Sequence, residues 1–218
     1  MTRVPLERKV LNENDRLAAT LREGFQAQAT WCVNLISSPG SGKTALLERT
    51  LASFDPARRV AILTGDIQTD NDAQRLARYG FPVQQITTGG ACHLDARMID
   101  KALAEWRSAP IDLLFIENVG NLVCPTSYDL GEESRVVLLS VTEGEDKPLK
   151  YPATFHRADV IVLTKLDLLP YVPFRIDLAR EYIRRIQPDA QLFEVSATTG
   201  AGMEPWRAWI DAKGKPAA

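Results

Sequence analysis

The sequence is poor in cysteine, with three residues in a chain of 218: Cys32, Cys92 and Cys124. So few cysteines argue against a disulfide framework and leave a metal-binding or reactive role open. The chain also lacks an excess of charge of either sign, because its formal net charge is -2. We therefore expect neither a nucleic-acid partner nor binding to an anionic membrane surface.

Long hydrophobic runs are missing as well. No apolar run approaches the length that a transmembrane helix needs, and the first five residues do not begin a signal peptide. Hydrophobic residues make up 45% of the chain and charged residues 25%, which is typical of a protein with one substantial core. We therefore expect a cytoplasmic protein with no membrane partner.

The most informative stretch is residues 36–44, Ile-Ser-Ser-Pro-Gly-Ser-Gly-Lys-Thr, which follows an apolar run and precedes a helical pattern. A strand, a glycine-rich turn and Gly-Lys-Thr at a helix start form the phosphate-binding loop (P-loop) of nucleotide hydrolases. The glycines let backbone N–H groups converge on phosphate oxygens. Lys43 is expected to reach the outer phosphates and Thr44 to ligate Mg²⁺. Ser37 replaces the usual first glycine. The predicted nucleotide contacts here are Pro39, Gly40, Ser41, Gly42, Lys43, Thr44 and Ala45.

Apolar runs alternate with amphipathic helical patterns along the rest of the chain, which predicts a mostly parallel sheet with helices on both faces. We expect about seven strands in an α/β P-loop NTPase fold of the SIMIBI type. Apolar residues at helical spacing within residues 12–27 predict an amphipathic helix that packs on the nucleotide domain. The expected organisation is an N-terminal arm and helix, 1–28, and a single GTPase domain, 29–218.

Two segments that follow predicted strands indicate guanine as the base. Thr-Lys-Leu-Asp at residues 164–167 matches the Asn-Lys-x-Asp pattern of GTPases, with Thr164 in place of Asn. The Asp167 carboxylate can accept two hydrogen bonds from the guanine edge, and the stem of Lys165 can lie across the base. Ser196 and Ala197 match the supporting guanine loop of the same proteins. We therefore expect GTP and GDP rather than ATP as ligands.

Two acidic residues at predicted strand ends are candidates for the Mg²⁺ site. Asp66 ends the strand after the P-loop helix, and Glu117 ends the most apolar strand. A strand-end acid near the P-loop threonine holds the ion, often through water. We expect Lys43, Asp66 and Glu117 to be the catalytic residues, with Asp66 also ordering the attacking water. No glutamine occupies a Ras-like position, so slow intrinsic GTP hydrolysis is expected.

Cys92, His93 and Cys124 suggest a second site, because all three are expected on loops at the carboxyl edge of the sheet. Thiolate and imidazole are ligands for Zn²⁺ or Ni²⁺. We expect Cys92 and His93 to begin a helix, which would bias Cys92 toward thiolate but would also point the two side chains to different faces. The pattern therefore predicts a metal site completed by a second subunit. Cys32, within a strand, is expected to be a core residue.

The two sites lie close in sequence, since Glu117 and Cys124 belong to one loop. A change at the γ-phosphate could therefore move a metal ligand, as ordering of such loops does in GTPase switches. We expect nucleotide state and metal affinity to be reciprocally coupled.

Taken together, the motifs resemble those of the HypB family, GTPases that help to deliver nickel during maturation of nickel–iron hydrogenase. The P-loop, Gly65-Asp66 and three further segments carry the resemblance: residues 92–96 (Cys-His-Leu-Asp-Ala), 117–125 (Glu-Asn-Val-Gly-Asn-Leu-Val-Cys-Pro) and 142–148 (Thr-Glu-Gly-Glu-Asp-Lys-Pro). The resemblance implies a GTP-dependent homodimer with Cys92, His93 and Cys124 as Ni²⁺ or Zn²⁺ ligands near the interface. It also implies the metallochaperone HypA as a partner, contacted through the N-terminal region, and the hydrogenase large subunit as an indirect one. Lys147 is expected to contact nucleotide.

Two departures from the family pattern are visible. The residues before Asn12 contain neither the cysteine cluster nor the histidine-rich tract that some members carry, so we expect nickel to be held by the GTPase domain. Arg97 stands where some relatives place a further histidine.

Three alternative interpretations remain open. A urease-type nickel GTPase of the UreG kind shares the fold but carries Cys-Pro-His, and this chain has no such sequence. A P-loop kinase for a small molecule would need a basic lid and adenine specificity, against which Lys165, Asp167 and Ser196-Ala197 argue. A GTP switch with purely structural cysteines is the third.

Overall fold

The computed structural model describes residues 6–106 and 109–214, with side chains described from Val10 onward. The sequence-based expectations for residues 1–5 of the N-terminal arm and for the last four residues of the GTPase domain lie outside this part of the chain. Within the described ranges no helix is both long and apolar enough to cross a membrane.

The apolar runs form one sheet of seven strands, and every neighbouring pair is parallel. Continuous apolar sequence suits such strands because helices cover both faces of a parallel sheet. The spatial order is β3-β2-β4-β1-β5-β6-β7. The strands are β1 (Trp31–Ser37), β2 (Val60–Asp66), β3 (Val83–Thr87), β4 (Leu113–Glu117), β5 (Ser134–Ser140), β6 (Val160–Thr164) and β7 (Gln191–Glu194). The predicted α/β fold with a parallel sheet is confirmed.

Helices follow most strands, as crossover connections require. The helices in the described residues are α1 (Leu6–Ala27), α2 (Lys43–Leu51), α3 (Asn71–Ala77), α4 (Ala96–Leu103), α5 (Lys147–Lys150), α6 (Pro152–His156), α7 (Ile176–Ile186) and α8 (Met203–Lys213). Short 3₁₀ turns at Ala104–Trp106, Cys124–Ser127 and Leu166–Tyr171 complete the connections.

The core lies on both faces of the sheet, and β1 shows how it is divided. Val33 and Leu35 pack on the face that α2 and α8 cover, whereas Cys32 points to the opposite face, toward α1 and α4. Successive side chains of a strand point to opposite faces, so a strand that is buried along its whole length supplies both halves of the core. Cys32 is fully buried, which confirms its predicted role as a core residue.

Helix α1 begins six residues before the predicted start at residue 12, so part of the expected arm is helical. Ala18, Leu21 and Phe25 bury its apolar face against the cluster that contains α4. A polar contact also holds the helix, because the Asn14 side chain accepts a hydrogen bond from the Ala96 N–H (2.9 Å) and donates one to the Asp129 carbonyl (2.9 Å). The helix is therefore attached to two loops at the carboxyl edge of the sheet.

Replacement of Asn14 tests this attachment. Asn14→Ala leaves a buried N–H and a half-buried carbonyl without their partner, and we expect it to lower the free energy of unfolding by about 1–3 kcal/mol. The measurement is urea unfolding followed by circular dichroism. Thr20→Ala is the control on the same helix, because Thr20 is exposed and bonds only its own helix, and should change stability by less than about 0.5 kcal/mol. Equal stability of both variants would contradict the role given to Asn14.

Candidate functional site: a P-loop beside a cysteine–histidine cluster

The P-loop connects β1 to α2 and has the geometry that its glycines predict. Gly40 and Gly42 have φ of 71° and 96°, a backbone conformation that glycine adopts without strain. Helix α2 starts at Lys43, so its N-terminus faces the loop. The Lys43 ammonium is buried and donates to the Ser37 hydroxyl (3.1 Å). The serine that replaces the usual glycine therefore gives the lysine a partner inside the loop.

Glu117, the last residue of β4, meets the P-loop directly. Its Oε1 accepts a hydrogen bond from the Thr44 hydroxyl (2.7 Å), while Oε2 is buried without a hydrogen-bond partner. Burial raises the pKa of Glu117 to about 7, and the nearby Lys43 charge opposes the rise. A buried acid with one unpaired oxygen, next to a threonine hydroxyl, fits Mg²⁺, which is bound through few protein oxygens and keeps several waters. Two of the three residues expected to hold the ion, Thr44 and Glu117, are thus in direct contact.

Asp66 ends β2 as predicted, but its carboxylate also serves the turn that follows. Oδ1 accepts hydrogen bonds from the backbone N–H groups of Gln68 and Thr69, each at 2.8 Å. Partial burial raises the pKa of Asp66, yet these hydrogen bonds outweigh it and hold the pKa below the usual value. The lowered pKa favours the ionised form of Asp66. This carboxylate lies in the wall of a cavity beside the P-loop.

A cavity of about 750 Å³ joins these parts. Gly120 brings the loop after β4 against the P-loop, since a Cβ at this residue would lie 3.0 Å from the Pro39 Cα. Asp72 and Arg75 of α3 also line the cavity, and sequence reasoning missed both. From the predicted set, the lining includes Pro39, Gly40, Gly42, Lys43, Thr44, Ala45, Asp66 and Glu117.

The two predicted guanine segments lie beside each other. The Ser196 hydroxyl donates to Asp167 Oδ1 (2.5 Å), and the Lys165 ammonium donates to the Gly40 carbonyl (2.6 Å). Thr164, which replaces the usual asparagine, donates through its hydroxyl to the Ser41 carbonyl (2.7 Å). The segment 164–167 is thus attached to the P-loop through the side chains of Thr164 and Lys165. Ala197 follows Ser196 at the start of the turn after β7.

Glu143 is a P-loop contact that sequence reasoning missed. Its Oε1 accepts hydrogen bonds from the Ser41 hydroxyl (2.7 Å) and the Ser140 N–H (3.0 Å). Lys147, expected near nucleotide, donates to the Ser38 hydroxyl (3.3 Å) and forms an ion pair with Glu143. Burial opposes ionisation of Glu143, but hydrogen bonds from Ser38 and Ser41 hold its pKa below the usual value. The sequence did contain a signal for Glu143. It lies just after the end of β5, as Asp66 and Glu117 lie at the ends of β2 and β4.

Cys92, His93 and Cys124 come together at the same edge. Their ligand atoms all lie within 4.8 Å of one another, and the Cys92 Sγ is 3.8 Å from the His93 Nδ1. Bond lengths of 2.0–2.3 Å place the ligands of a tetrahedral ion roughly 3.5–4 Å apart, so one ion fits these side chains with little movement. Asn121 Oδ1 accepts hydrogen bonds from the Val123 and Cys124 N–H groups and fixes the turn that carries Cys124.

The expectation that Cys92 and His93 begin a helix is wrong. Helix α4 starts at Ala96, because the Asp95 side chain caps it by accepting a hydrogen bond from the Met98 N–H (2.8 Å). Cys92 and His93 therefore lie in a loop, where neighbouring side chains can point the same way. The inference that one chain cannot bring the three ligands together is also wrong.

The protonation of these side chains differs from the expected thiolate bias. The neighbouring Cys124 thiol and burial raise the pKa of Cys92, which favours the thiol form when no metal is bound. A bound cation reverses this preference, because metal binding releases the thiol proton. Burial lowers the pKa of His93, although Asp95 opposes the change, and this favours the neutral imidazole that binds metals. Arg97 points away, into an ion pair with Glu13 of α1.

The parallel sheet and the contacts of the P-loop define a protein with the P-loop GTPase fold. Residues 32–194 match the family described as "CobW/HypB/UreG, nucleotide-binding domain". The chain is 52% identical to hydrogenase maturation factor HypB of Azotobacter vinelandii, over 94% of this chain and 68% of that protein. Its identity to the HypB of Escherichia coli K12 is 48%, over 94% of this chain and 71% of the relative.

Solved structures agree with these sequence matches. HypB from Archaeoglobus fulgidus superposes with a TM-score of 0.87 at 39% identity, covering 94% of this chain and all of that one. HypB from Helicobacter pylori, solved in complex with nickel, has a TM-score of 0.86 at 41% identity, covering 93% and 95%. Signal recognition particle 54 kDa protein from Aeropyrum pernix, at 13% identity and a TM-score of 0.59, shares the fold alone. The chain belongs to the HypB family of hydrogenase maturation factors.

The guanine segment generates a prediction about base choice. Asp167→Asn replaces one acceptor oxygen with a donor, so it cannot accept both hydrogen bonds from the guanine edge, and we expect GDP affinity to fall roughly 10–100-fold. Xanthine presents a carbonyl where guanine has an amino group, so affinity for xanthosine diphosphate should rise. Binding is measured by fluorescence titration. Asp189→Asn, the same change at an exposed residue, is the control, and unchanged base preference in Asp167→Asn would refute the assignment.

Proposed function

We propose that the protein is a GTP hydrolase that couples its nucleotide state to nickel binding and delivery during maturation of nickel–iron hydrogenase. The observation that carries the proposal is one loop, residues 117–127, which contains both Glu117 at the P-loop threonine and Cys124 in the cysteine–histidine cluster. A GTPase whose nucleotide-responsive loop also holds a metal ligand can tie metal affinity to hydrolysis.

The nucleotide would be held from both ends. The P-loop N–H groups and Lys43 bind the phosphates, and Lys165, Asp167, Ser196 and Ala197 bind the base. Thr44, Glu117 and Asp66 would hold Mg²⁺, which would neutralise the charge that develops on the phosphates. We propose that Asp66, whose hydrogen bonds favour its ionised form, orders the attacking water. Gln68 also lines the cavity, but it does not stand at the Ras-like position in the sequence, and we propose slow intrinsic hydrolysis on that ground.

Nickel would be bound as cargo by the cluster of Cys92, His93 and Cys124, and Zn²⁺ suits the same ligands. The solved HypB structure in complex with nickel supports this choice. Three protein ligands leave a coordination position open, which a partner's ligand could enter during transfer. The His93 ring stacks on Tyr128, with centroids 3.8 Å apart, so its orientation is already restricted before an ion binds.

The proposal extends to partners. We propose a GTP-dependent homodimer, contact with the metallochaperone HypA through the N-terminal region, and an indirect action on the hydrogenase large subunit. The names of the relatives, hydrogenase maturation factors, support such a role. Helix α1 reaches both metal loops through Asn14, which would let a partner bound there sense the metal site. We propose a division into an arm with helix, 1–28, and a GTPase domain, 29–218, and a cytoplasmic location because GTP is held inside the cell.

Hydrolysis is tested through Lys43. Lys43→Ala removes the positive charge beside the outer phosphates, and we expect the rate of phosphate release from GTP to fall at least about 100-fold. Lys150→Ala is the control, because Lys150 is exposed and pairs only with Asp146 in its own segment. Phosphate release is followed with a coupled assay on purified protein. A Lys43→Ala rate equal to that of the wild type would refute the assignment.

Metal binding is tested by nickel titration of protein saturated with GDP and then with a non-hydrolysable GTP analogue. We expect one nickel per chain with an affinity that depends on the nucleotide. Cys124→Ala should weaken nickel binding at least about 100-fold. Loss of a residue that only orients the ligands costs about 10–100-fold in metal affinity, so the larger effect would mark Cys124 as a ligand. Cys32→Ala removes a core thiol instead and should keep the wild-type affinity. Absence of nickel binding to wild type in both states would leave a GTP switch without metal.

A further inference from the structure

A buried polar side chain lies directly beneath the cysteine–histidine cluster. Asn118, beside Glu117, is 1% exposed and uses both ends of its amide. Its Oδ1 accepts hydrogen bonds from the backbone N–H of Leu94 (3.2 Å) and of Val119 (3.0 Å), and its Nδ2 donates to the Asn34 side-chain oxygen (3.2 Å). Leu94 follows His93 directly, so this amide holds the loop that carries two of the three metal ligands.

The same network continues to the loop that carries the third ligand. Asn34 donates to Glu132 Oε1 (3.2 Å), which also accepts from the Arg135 Nε (2.9 Å) and Nη2 (2.6 Å). Arg135 then donates to the Thr126 and Tyr128 carbonyls, each at 3.3 Å. These carbonyls lie just after Cys124, and Tyr128 is the residue that stacks on His93. Both metal-ligand loops are thus attached to one chain of buried hydrogen bonds.

Such a chain is costly to bury and becomes rigid when its polar groups are paired. The residue at 118 must accept two N–H groups on one side and donate to an oxygen on the other. A leucine of similar size offers neither function, and an aspartate loses the donor that faces the oxygen of Asn34. Asparagine meets all three demands, which explains why a polar residue occupies this buried position.

The location of Asn118 also connects the network to the nucleotide site. The neighbouring Glu117 accepts a hydrogen bond from the Thr44 hydroxyl. The backbone N–H of Asn118 donates to the Leu35 carbonyl of β1 (3.0 Å). A displacement of Glu117 when the phosphates change would move Asn118, and through Asn118 the Leu94 backbone beside His93. Asn118 alone therefore connects Glu117 to the Leu94 backbone.

We infer that Asn118 is a positioning residue that sets the spacing of the two metal-ligand loops and transmits the nucleotide state to them. Asn118 lines the cavity beside the P-loop together with Glu117, and it acts on the metal-ligand loops through the Leu94 backbone and through Asn34. The inference rests on the proposed function, because it concerns nickel bound at Cys92, His93 and Cys124. It adds a specific residue to the coupling between the two sites.

The test is nickel titration of full-length Asn118→Leu and Asn118→Asp, each saturated with GDP or with a non-hydrolysable GTP analogue. For Asn118→Leu we expect nickel affinity to fall roughly 10–100-fold, as for other residues that orient metal ligands, and the ratio of the two nickel Kd values to approach 1. The thiolate-to-nickel charge-transfer absorption should weaken as well. Asn118→Asp keeps the acceptor for Leu94, so its loss should be smaller. Because each nucleotide is held at a saturating concentration, a change in nucleotide affinity at this cavity residue does not alter the comparison.

Thr50→Val is the matched control, because it removes a buried hydrogen bond with Trp206 (2.9 Å) far from the metal loops. It should leave nickel affinity and the Kd ratio at wild-type values. Wild-type nickel affinity and an unchanged Kd ratio in both Asn118 variants would overturn the inference, as would an equal loss in Thr50→Val. Should Asn118→Leu fail to fold, Asn118→Asp alone decides by the same criteria. Failure of the proposed function is distinguishable, since wild type itself would then bind no nickel, or Cys124→Ala would bind it normally.

Discussion

The hydrogen bond from the Thr44 hydroxyl to the Glu117 carboxylate is the contact on which the site depends. It joins the P-loop helix to the end of β4, and it is possible because β1 and β4 are neighbours in register, with Leu35 paired to Glu117. The parallel sheet therefore delivers the phosphate-binding loop and the strand-end acid to the same point. The loop that carries Cys124 begins at this junction and is held by further contacts, such as the hydrogen bond from the Asn118 N–H to the Leu35 carbonyl.

The strand order explains why two different sites share an edge. In a parallel sheet every strand ends on the same side, so loops that follow β3 and β4 meet beside the P-loop although they are separate in sequence. Cys92 and His93 arrive from the first of these loops and Cys124 from the second. Asn118 and its partners fill the space beneath them with paired polar groups. The cysteine–histidine cluster is thus supported by the same strands that support the cavity beside the P-loop.

At two positions where this chain departs from the common GTPase motifs, the substituted residue makes a hydrogen bond of its own. Ser37 takes the place of a glycine and receives the Lys43 ammonium, and Thr164 takes the place of an asparagine and bonds the Ser41 carbonyl. Glu143 adds a further contact to Ser41 from the loop after β5. Ser37 and Thr164 therefore each make a hydrogen bond with a P-loop residue through their own side chains.

The sequence by itself determined the fold class and most strands, because continuous apolar runs and glycine-rich turns act locally and leave a direct pattern. It also located the P-loop, Asp66 and Glu117, since each lies at the end of a recognisable strand. Only the tertiary structure decided that Cys92 and His93 share a site with Cys124 within one chain, because the loops after β3 and β4 are separate in sequence and meet only at the edge of the sheet. Glu143 and Asn118 likewise gain their roles from residues distant in sequence, Ser41, Leu94 and Asn34, and such contacts exist only once the sheet has brought these segments together.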